Sequence, residues 1–341
     1  MMRVVKAVGA ASFLVFTLSA AKAASLWPVP YPPSADHGGF VTGINDSNTI
    51  AGGFYTADGI EHAFFGPLHG GVATIWDVGK EWTEARGINN DGTVVGYYDT
   101  KAPNVVYGYQ FERYTNSAVK PIKNGDSFID GIVESINSKG IFIGESWNDA
   151  DDTVTAYEGK KAKYKVEVDP AISGGSFRGR GINKAGDMVG FFTSTDVHGF
   201  LIHNGVTTQI DFPGARDTWL ESINSKGVMS GYWSPDGTVF HAFYFDPNKS
   251  LFSQVDVDGS SFTTGFGINR LGNLMINSDF GFFVFCPKSR NCRSDSAKTA
   301  KVAKVTEVHV DPSSFLRFGD IRAIKTTPPT PHMEDGEHLR R

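Results

Sequence analysis

The sequence predicts an all-β protein, a β-propeller of six four-stranded blades, on three observations. An Ile-Asn pair recurs six times, at Ile44-Asn45, Ile88-Asn89, Ile136-Asn137, Ile182-Asn183, Ile223-Asn224 and Ile268-Asn269. Successive asparagines are 44, 48, 46, 41 and 45 residues apart, the period at which four-stranded sheets repeat around a central channel. Glycine (39 of 341 residues) and phenylalanine (26) are both abundant, which suits tight turns and packed strands better than helices. An open β-solenoid or stacked sandwiches would use the same strands. Radial closure is preferred because it hides sheet edges that an open array exposes.

Each unit begins with a strand that ends at the Ile-Asn pair. The residue before the Ile is small: Gly43, Gly87, Ser135, Gly181, Ser222 and Gly267. Three residues after the Asn stands Gly92, Gly140, Gly186, Gly227 or Gly272, and Asn48 in the first copy. A turn that needs positive φ at its last residue explains both choices, since asparagine is the best non-glycine substitute there. The leading asparagines are therefore structural, their side chains bonding the turn backbone.

The second strand carries a glycine seven residues after the Asn (Gly52, Gly96, Gly144, Gly190, Gly231), replaced by Ile276 in copy six. Glycine within a strand marks a close backbone approach or a bulge. The third strand contains His62-Ala63-Phe64, Tyr107-Gly108-Tyr109, Thr155-Ala156-Tyr157, His198-Gly199-Phe200, His241-Ala242-Phe243 or Gly281-Phe282-Phe283. The fourth is β-branched and alternating, as in Val206-Thr207-Thr208-Gln209-Ile210.

This combination resembles the bacterial extracellular HAF repeat family over about residues 39–285. The name-giving tripeptide is complete at His62-Ala63-Phe64 and His241-Ala242-Phe243, and Ile210-Asp211-Phe212-Pro213-Gly214-Ala215 is similar to the strand-to-turn junction of such repeats. The resemblance implies export and a propeller-like fold, and no activity.

Outside the repeats, Arg3 and Lys6, the apolar stretch Ala7 to Ala20 and Ala21-Lys22-Ala23 read as a signal peptide cut before Ala24. The organisation expected is a signal peptide at 1–23, a lead-in at 24–38, the propeller at 39–324 with an insertion at 289–304, and a disordered tail at 325–341. Copy six lacks a fourth strand. The segment Val305 to Pro312 is the preferred donor, because the prolines around Trp27 suit an edge strand at best. No later run is long and apolar enough to span a membrane. Export places the product in the periplasm or outside the cell, where Cys286 and Cys292 pair as a disulfide closing a short loop.

Losing Arg3, Lys6 and Lys22 takes the formal charge from −5 to about −8, which argues against nucleic acid or an anionic membrane as partner. No nucleophile elbow or phosphate loop is present, and no catalytic residue, metal ligand or cofactor is assigned. His62, His198 and His241 hold the same place in three blades and point apart. The acidic run Asp149-Ala150-Asp151-Asp152 lacks calcium-loop spacing and reads as a solvated loop. Three residues before each Asn, however, the copies differ: Thr42, Arg86, Glu134, Arg180, Glu221 and Phe266. Arg86, Glu134, Arg180 and Glu221 would alternate in sign around the channel, as inter-blade ion pairs or as a polar ligand pocket. Trp82 and Trp219, near the start of first strands, are candidate sugar-stacking rings. The reading is a non-enzymatic exported binding or scaffold protein whose partner is a glycan or another exported protein. The alternatives are a lactonase-like hydrolase with a polar or metal-bearing channel, and a structural envelope or matrix component.

Overall fold

A computed structural model describes residues 22–29, 38–69, 74–76, 82–99, 105–112, 120–124, 127–128, 131–148, 153–169, 176–288, 292, 301–311, 313, 315, 317–320 and 322–324. The apolar leader, the acidic run 149–152 and the tail 325–341 lie outside these residues. The chain is all-β and forms six antiparallel blades in a ring, a six-bladed β-propeller. Blade one runs Gly39–Ile44, Thr49–Tyr55, Glu61–Pro67 and Thr74–Trp76 from axis to rim, and blade two Thr83–Ile88, Thr93–Asp99, Val106–Glu112 and Lys120–Pro121. Blade three is Gly131–Ile136, Ile141–Asn148, Thr153–Lys160 and Lys163–Asp169. Blade four is Phe177–Ile182, Met188–Thr193, Val197–His203 and Val206–Gln209. Blade five is Asp217–Ile223, Met229–Ser234, His241–Asp246 and Leu251–Val257, and blade six opens with Thr263–Ile268, Leu274–Ser278 and Gly281–Phe285. Among the described residues no helix is long and apolar enough to cross a membrane.

The repeated asparagines close the ring at its inner edge. Each Asn Oδ1 accepts the backbone N–H groups two and four residues ahead, as Asn45 does from Ser47 (3.0 Å) and Thr49 (2.9 Å). Each Nδ2 donates to the carbonyl of the corresponding Asn in the next blade: Asn45 to Asn89, Asn89 to Asn137, Asn137 to Asn183, Asn183 to Asn224, Asn224 to Asn269, and Asn269 back to Asn45. Six local turn caps thus make one continuous circle of hydrogen bonds. The turn glycines have φ between 70° and 105°, and Asn48 takes the same left-handed conformation at 59°.

The two other glycine positions are packing requirements. A Cβ on Gly181 would lie 2.8 Å from Ser222 Cα, because innermost strands of adjacent blades touch backbone to backbone. A Cβ on Gly231 would lie 1.9 Å from the Trp219 carbonyl oxygen, where a bulge between Leu220 and Ser222 pushes the first strand against the second. Blade six tolerates Ile276 because the glycine has moved to the partner strand: Ile276 pairs with Gly265 across a wider bulge.

Ring closure corrects the expectation. The fourth strand of blade six is Lys22–Pro28, which pairs Leu26 with Phe285, Trp27 with Val284 and Pro28 with Phe283. The lead-in is therefore part of the propeller. Pro28 is the last residue of the strand, so its missing N–H breaks no interior ladder bond. The C-terminal strand Lys301–His309 instead adds a fifth strand to blade five, pairing along Leu251–Val257, and its other edge pairs with Lys22–Leu26. Blades five and six become one nine-stranded sheet. The end of the expected insertion, Lys301 to Lys304, belongs to this strand. Beyond it, Arg317–Asp320 caps the rim of blade four and Arg322–Ile324 that of blade three. Cys286 and Cys292 form a disulfide with Cα atoms 6.2 Å apart, buried against Val29 and Leu68.

Candidate functional site

The first strand of every blade faces the axis, so residues at one repeat position meet there. Arg86 Nε donates to Glu134 Oε2 (2.8 Å) and Arg86 Nη1 to Glu84 Oε1 (2.6 Å). Arg180 Nη1 donates to Glu134 Oε1 from the other side, so one carboxylate bridges two guanidiniums from blades two and four. Arg180 Nε lies 3.8 Å from Glu145 Oε1 and 3.9 Å from Glu221 Oε2, and Arg178 Nη1 donates to Glu145 Oε2 (3.1 Å). All four predicted channel residues are therefore brought together, and three further charges join them.

Their environments separate them chemically. Burial pushes the Glu134 carboxyl up, but Arg180 and Arg86 outweigh it and hold it below the usual carboxylate range. Burial dominates at Glu221, which is pushed up to about 7 despite Arg180. Glu145 is likewise raised by burial more than Arg180 lowers it. The alternation stops at Phe266 on blade six and Thr42 on blade one, whose hydroxyl donates to the Ala85 carbonyl (2.7 Å). Glu221 therefore has a guanidinium on one side only.

Below this charged layer, at the turn end of the channel, lies a cavity of about 110 Å³. Its floor is Arg86, Glu134, Arg180 and Glu221, and its rim is the residue after each repeated Asn: Asp46, Asn90, Ser138, Lys184, Ser225 and Arg270. Asp46 is engaged at the rim, accepting from Asn90 Nδ2 (2.8 Å) and from the Arg270 N–H (2.8 Å).

Sequence reasoning missed a buried acid at the other end. Glu61, 6% exposed, starts the third strand of blade one and approaches Glu84, which also accepts from the Tyr97 hydroxyl. Glu61 Oε1 has no hydrogen-bond partner. Burial first, then the charge of Glu84, pushes its carboxyl up to about 8. The other copies carry Val106, Val154, Val197, Phe240 and Phe280 at this position, so comparing copies there would have found it. A raised pKa means that the bound proton stabilises the fold below pH ~4.5, and that this contribution is lost as pH rises toward 8. Glu61→Gln, which is neutral throughout, should match the parent at pH 5 and exceed it at pH 8.5 by on the order of 3 kcal/mol. Denaturant melts of both chains at the two pH values check this; equal stability at pH 8.5 would contradict it.

The remaining candidates lie apart. Trp82 (37% exposed) and Trp219 belong to blades two and five, on opposite sides of the ring, and form no common platform. The Trp219 ring is stacked on Tyr232 at 4.9 Å. Each repeat histidine is held within its own blade: His62 stacks on Phe54 and contacts Thr56, His198 pairs with Asp211 (2.9 Å) and His241 with Asp256 (2.9 Å). Among the described residues no group of three or more His, Cys, Asp or Glu side chains is placed to hold a metal ion.

No family model and no curated protein matches the chain. Solved structures with a similar fold include the WD40 β-propeller domain of Doa1 (TM-score 0.43, 11% identity, 79% of this chain and 99% of that one). Others are XC5397, a gluconolactonase from Xanthomonas campestris (0.43, 9%, 79% and 97%), and an arginine-to-alanine triple variant of AofleA from Arthrobotrys oligospora (0.42, 11%, 91% and 92%). These likenesses concern the fold alone.

Proposed function

We propose that the protein is an exported, non-enzymatic propeller of the HAF repeat kind that binds its ligand at the turn-end mouth of the channel. The observation that carries this reading is the bridging of Glu134 by Arg86 and Arg180. These axial charges are committed to one another across blades two, three and four, and a carboxylate neutralised by two guanidiniums is a poor base and a poor cation ligand. What faces solvent is a small polar cup whose rim changes from blade to blade while the turns beneath it repeat, the pattern of variable contacts on a constant scaffold. A glycan or another exported protein could be read by such a rim. Melting the chain 24–341 before and after chelation, and again with calcium restored, tests the reading, because a ligand bound only to the folded state raises the transition. An unchanged melting temperature is expected. A large reversible drop would overturn the reading in favour of a metal-bearing hydrolase channel.

A further inference from the structure

The buried polar groups along the axis do not balance. Among the described residues, the carboxylates of the axial layer are Glu61, Glu84, Glu134, Glu145 and Glu221 and the guanidiniums are Arg86, Arg178 and Arg180, an excess of two negative charges, apart from the solvent-facing rim charges Asp46, Lys184 and Arg270. Burying an unpaired charge is costly, so each surplus carboxylate must hold a proton or meet a cation. At Glu61 burial and the charge of Glu84 already hold the proton on the carboxyl, and the proton suffices. Glu221 differs. Its side chain is only 7% exposed, yet it lines the cup. Its guanidinium neighbour, Arg180, stands 3.9 Å away, beyond hydrogen-bonding distance, and no donor among the described residues bonds it. A desolvated carboxylate aimed into an open polar cavity, with neither of its oxygens bonded, is a counter-ion awaiting a partner.

We propose that the turn-end cup binds a small primary ammonium, with Glu221 as its counter-ion. This deepens the binding reading and rests on it. Ser222 and Ser135 line the same cavity, and each hydroxyl, which accepts one long bond from a backbone N–H (Ile268 and Ile182, 3.4 Å), has a second lone pair for the remaining N–H groups. A volume of about 110 Å³ corresponds to three or four waters, and so admits a methylammonium-sized group or the end of a longer amine. A divalent metal fits less well, since it needs several oxygen ligands and, among the described residues, Glu221 is the one carboxylate of the cup without a hydrogen bond. The charged groups facing Glu221 are Arg180 on blade four, Arg86 on blade two, Glu134 and Glu145 on blade three, with the Tyr232 hydroxyl beside it on blade five and Lys184 and Arg270 at the rim. Because Glu221 titrates at about 7, an ammonium must displace its proton, and affinity should rise roughly tenfold between pH 6 and pH 8.

The probe is methylammonium chloride, titrated against the chain 24–341 with sodium chloride at equal ionic strength as control and sodium acetate as the anion control. A saturable rise in melting temperature is expected, about 2 °C at tenfold excess over Kd, in methylammonium alone. Glu221→Gln, a neutral isostere, should abolish it. The pH dependence is read on the unaltered chain and does not hinge on the variant folding. Absence of a saturable shift, a shift that survives Glu221→Gln, or equal affinity at pH 6 and pH 8 would each overturn the proposal. The binding reading fails separately, on the chelation melt.

Discussion

A chain that begins at residue 30 is expected to lose cooperative unfolding and to self-associate, whereas the chain 24–341 melts in a single transition. The cause is the position of Lys22–Pro28 in the sheet. Its removal strips the fourth strand from blade six and frees the edge of Gly281–Phe285, and that of Lys301–His309 where the two paired. Unpaired edges of this kind are templates for association between chains. It also deletes Leu26, which is fully buried with Ile276, Phe283, Phe285 and Val305. Cutting at Ala24 removes only the pairs of Lys22 and Ala23, so the strand survives the expected processing. The milder Leu26→Ala should cost about 2–5 kcal/mol, the range for emptying a buried leucine site. Size-exclusion chromatography and calorimetry of the three chains check the series. A monomeric, cooperatively melting chain 30–341 would mean that the C-terminal strand closes the ring by itself.

Glu134→Ala should be the most damaging single substitution at the axis. It leaves Arg86 with Glu84 alone, and Arg180 with carboxylates at 3.8 and 3.9 Å. Removing one partner of a buried ionic group typically costs about 3–5 kcal/mol, because the remaining charge stays buried without compensation. In a domain of this size that is a fall of roughly 10 °C in melting temperature. Replacing the group together, as Arg86→Met, Glu134→Leu and Arg180→Met with Glu84→Gln and Glu221→Gln, should restore most of the loss, since Glu145 keeps Arg178 and no charge is then stranded. A combined variant less stable than Glu134→Ala would show that these residues do more than satisfy one another.

The parts of the fold that could be read from sequence were those specified locally. The turn asparagine, its positive-φ partner and the bulge-facing glycine are determined within ten residues, so they repeat visibly, and even the departures at Asn48 and Ile276 have local explanations. Ring closure is not local. Leu26 meets Phe285 across the whole chain, and the prolines beside it disguise a strand whose only ladder proline is its last residue. The donor expected from the segment beginning at Val305 does form a strand, Lys301–His309, but the place it fills is the rim of blade five.

The candidate site was half legible for a related reason. Comparing copies three residues before the Asn found Arg86, Glu134, Arg180 and Glu221. Glu84 and Arg178 stand two residues earlier on the same strands, and Glu145 just after the second-strand glycine of blade three. Those positions also face the axis, but the aromatic and aliphatic side chains that most other blades place there (Phe40, Ile132 and Trp219; Tyr97, Phe191 and Tyr232) read as packing. Glu61 reaches the group from a third strand, which periodicity alone does not bring near the channel.

The axial charges are either committed to one another or free to act on a ligand. A double-mutant cycle between Glu134 and Arg180, using Glu134→Gln and Arg180→Met in denaturant melts, measures this directly. A favourable coupling on the order of 2 kcal/mol or more is predicted, since both groups are buried and in contact. Additive effects of the two substitutions in folded variants would contradict it, and would return Glu134 and Arg180 to the set of groups free to act on a ligand.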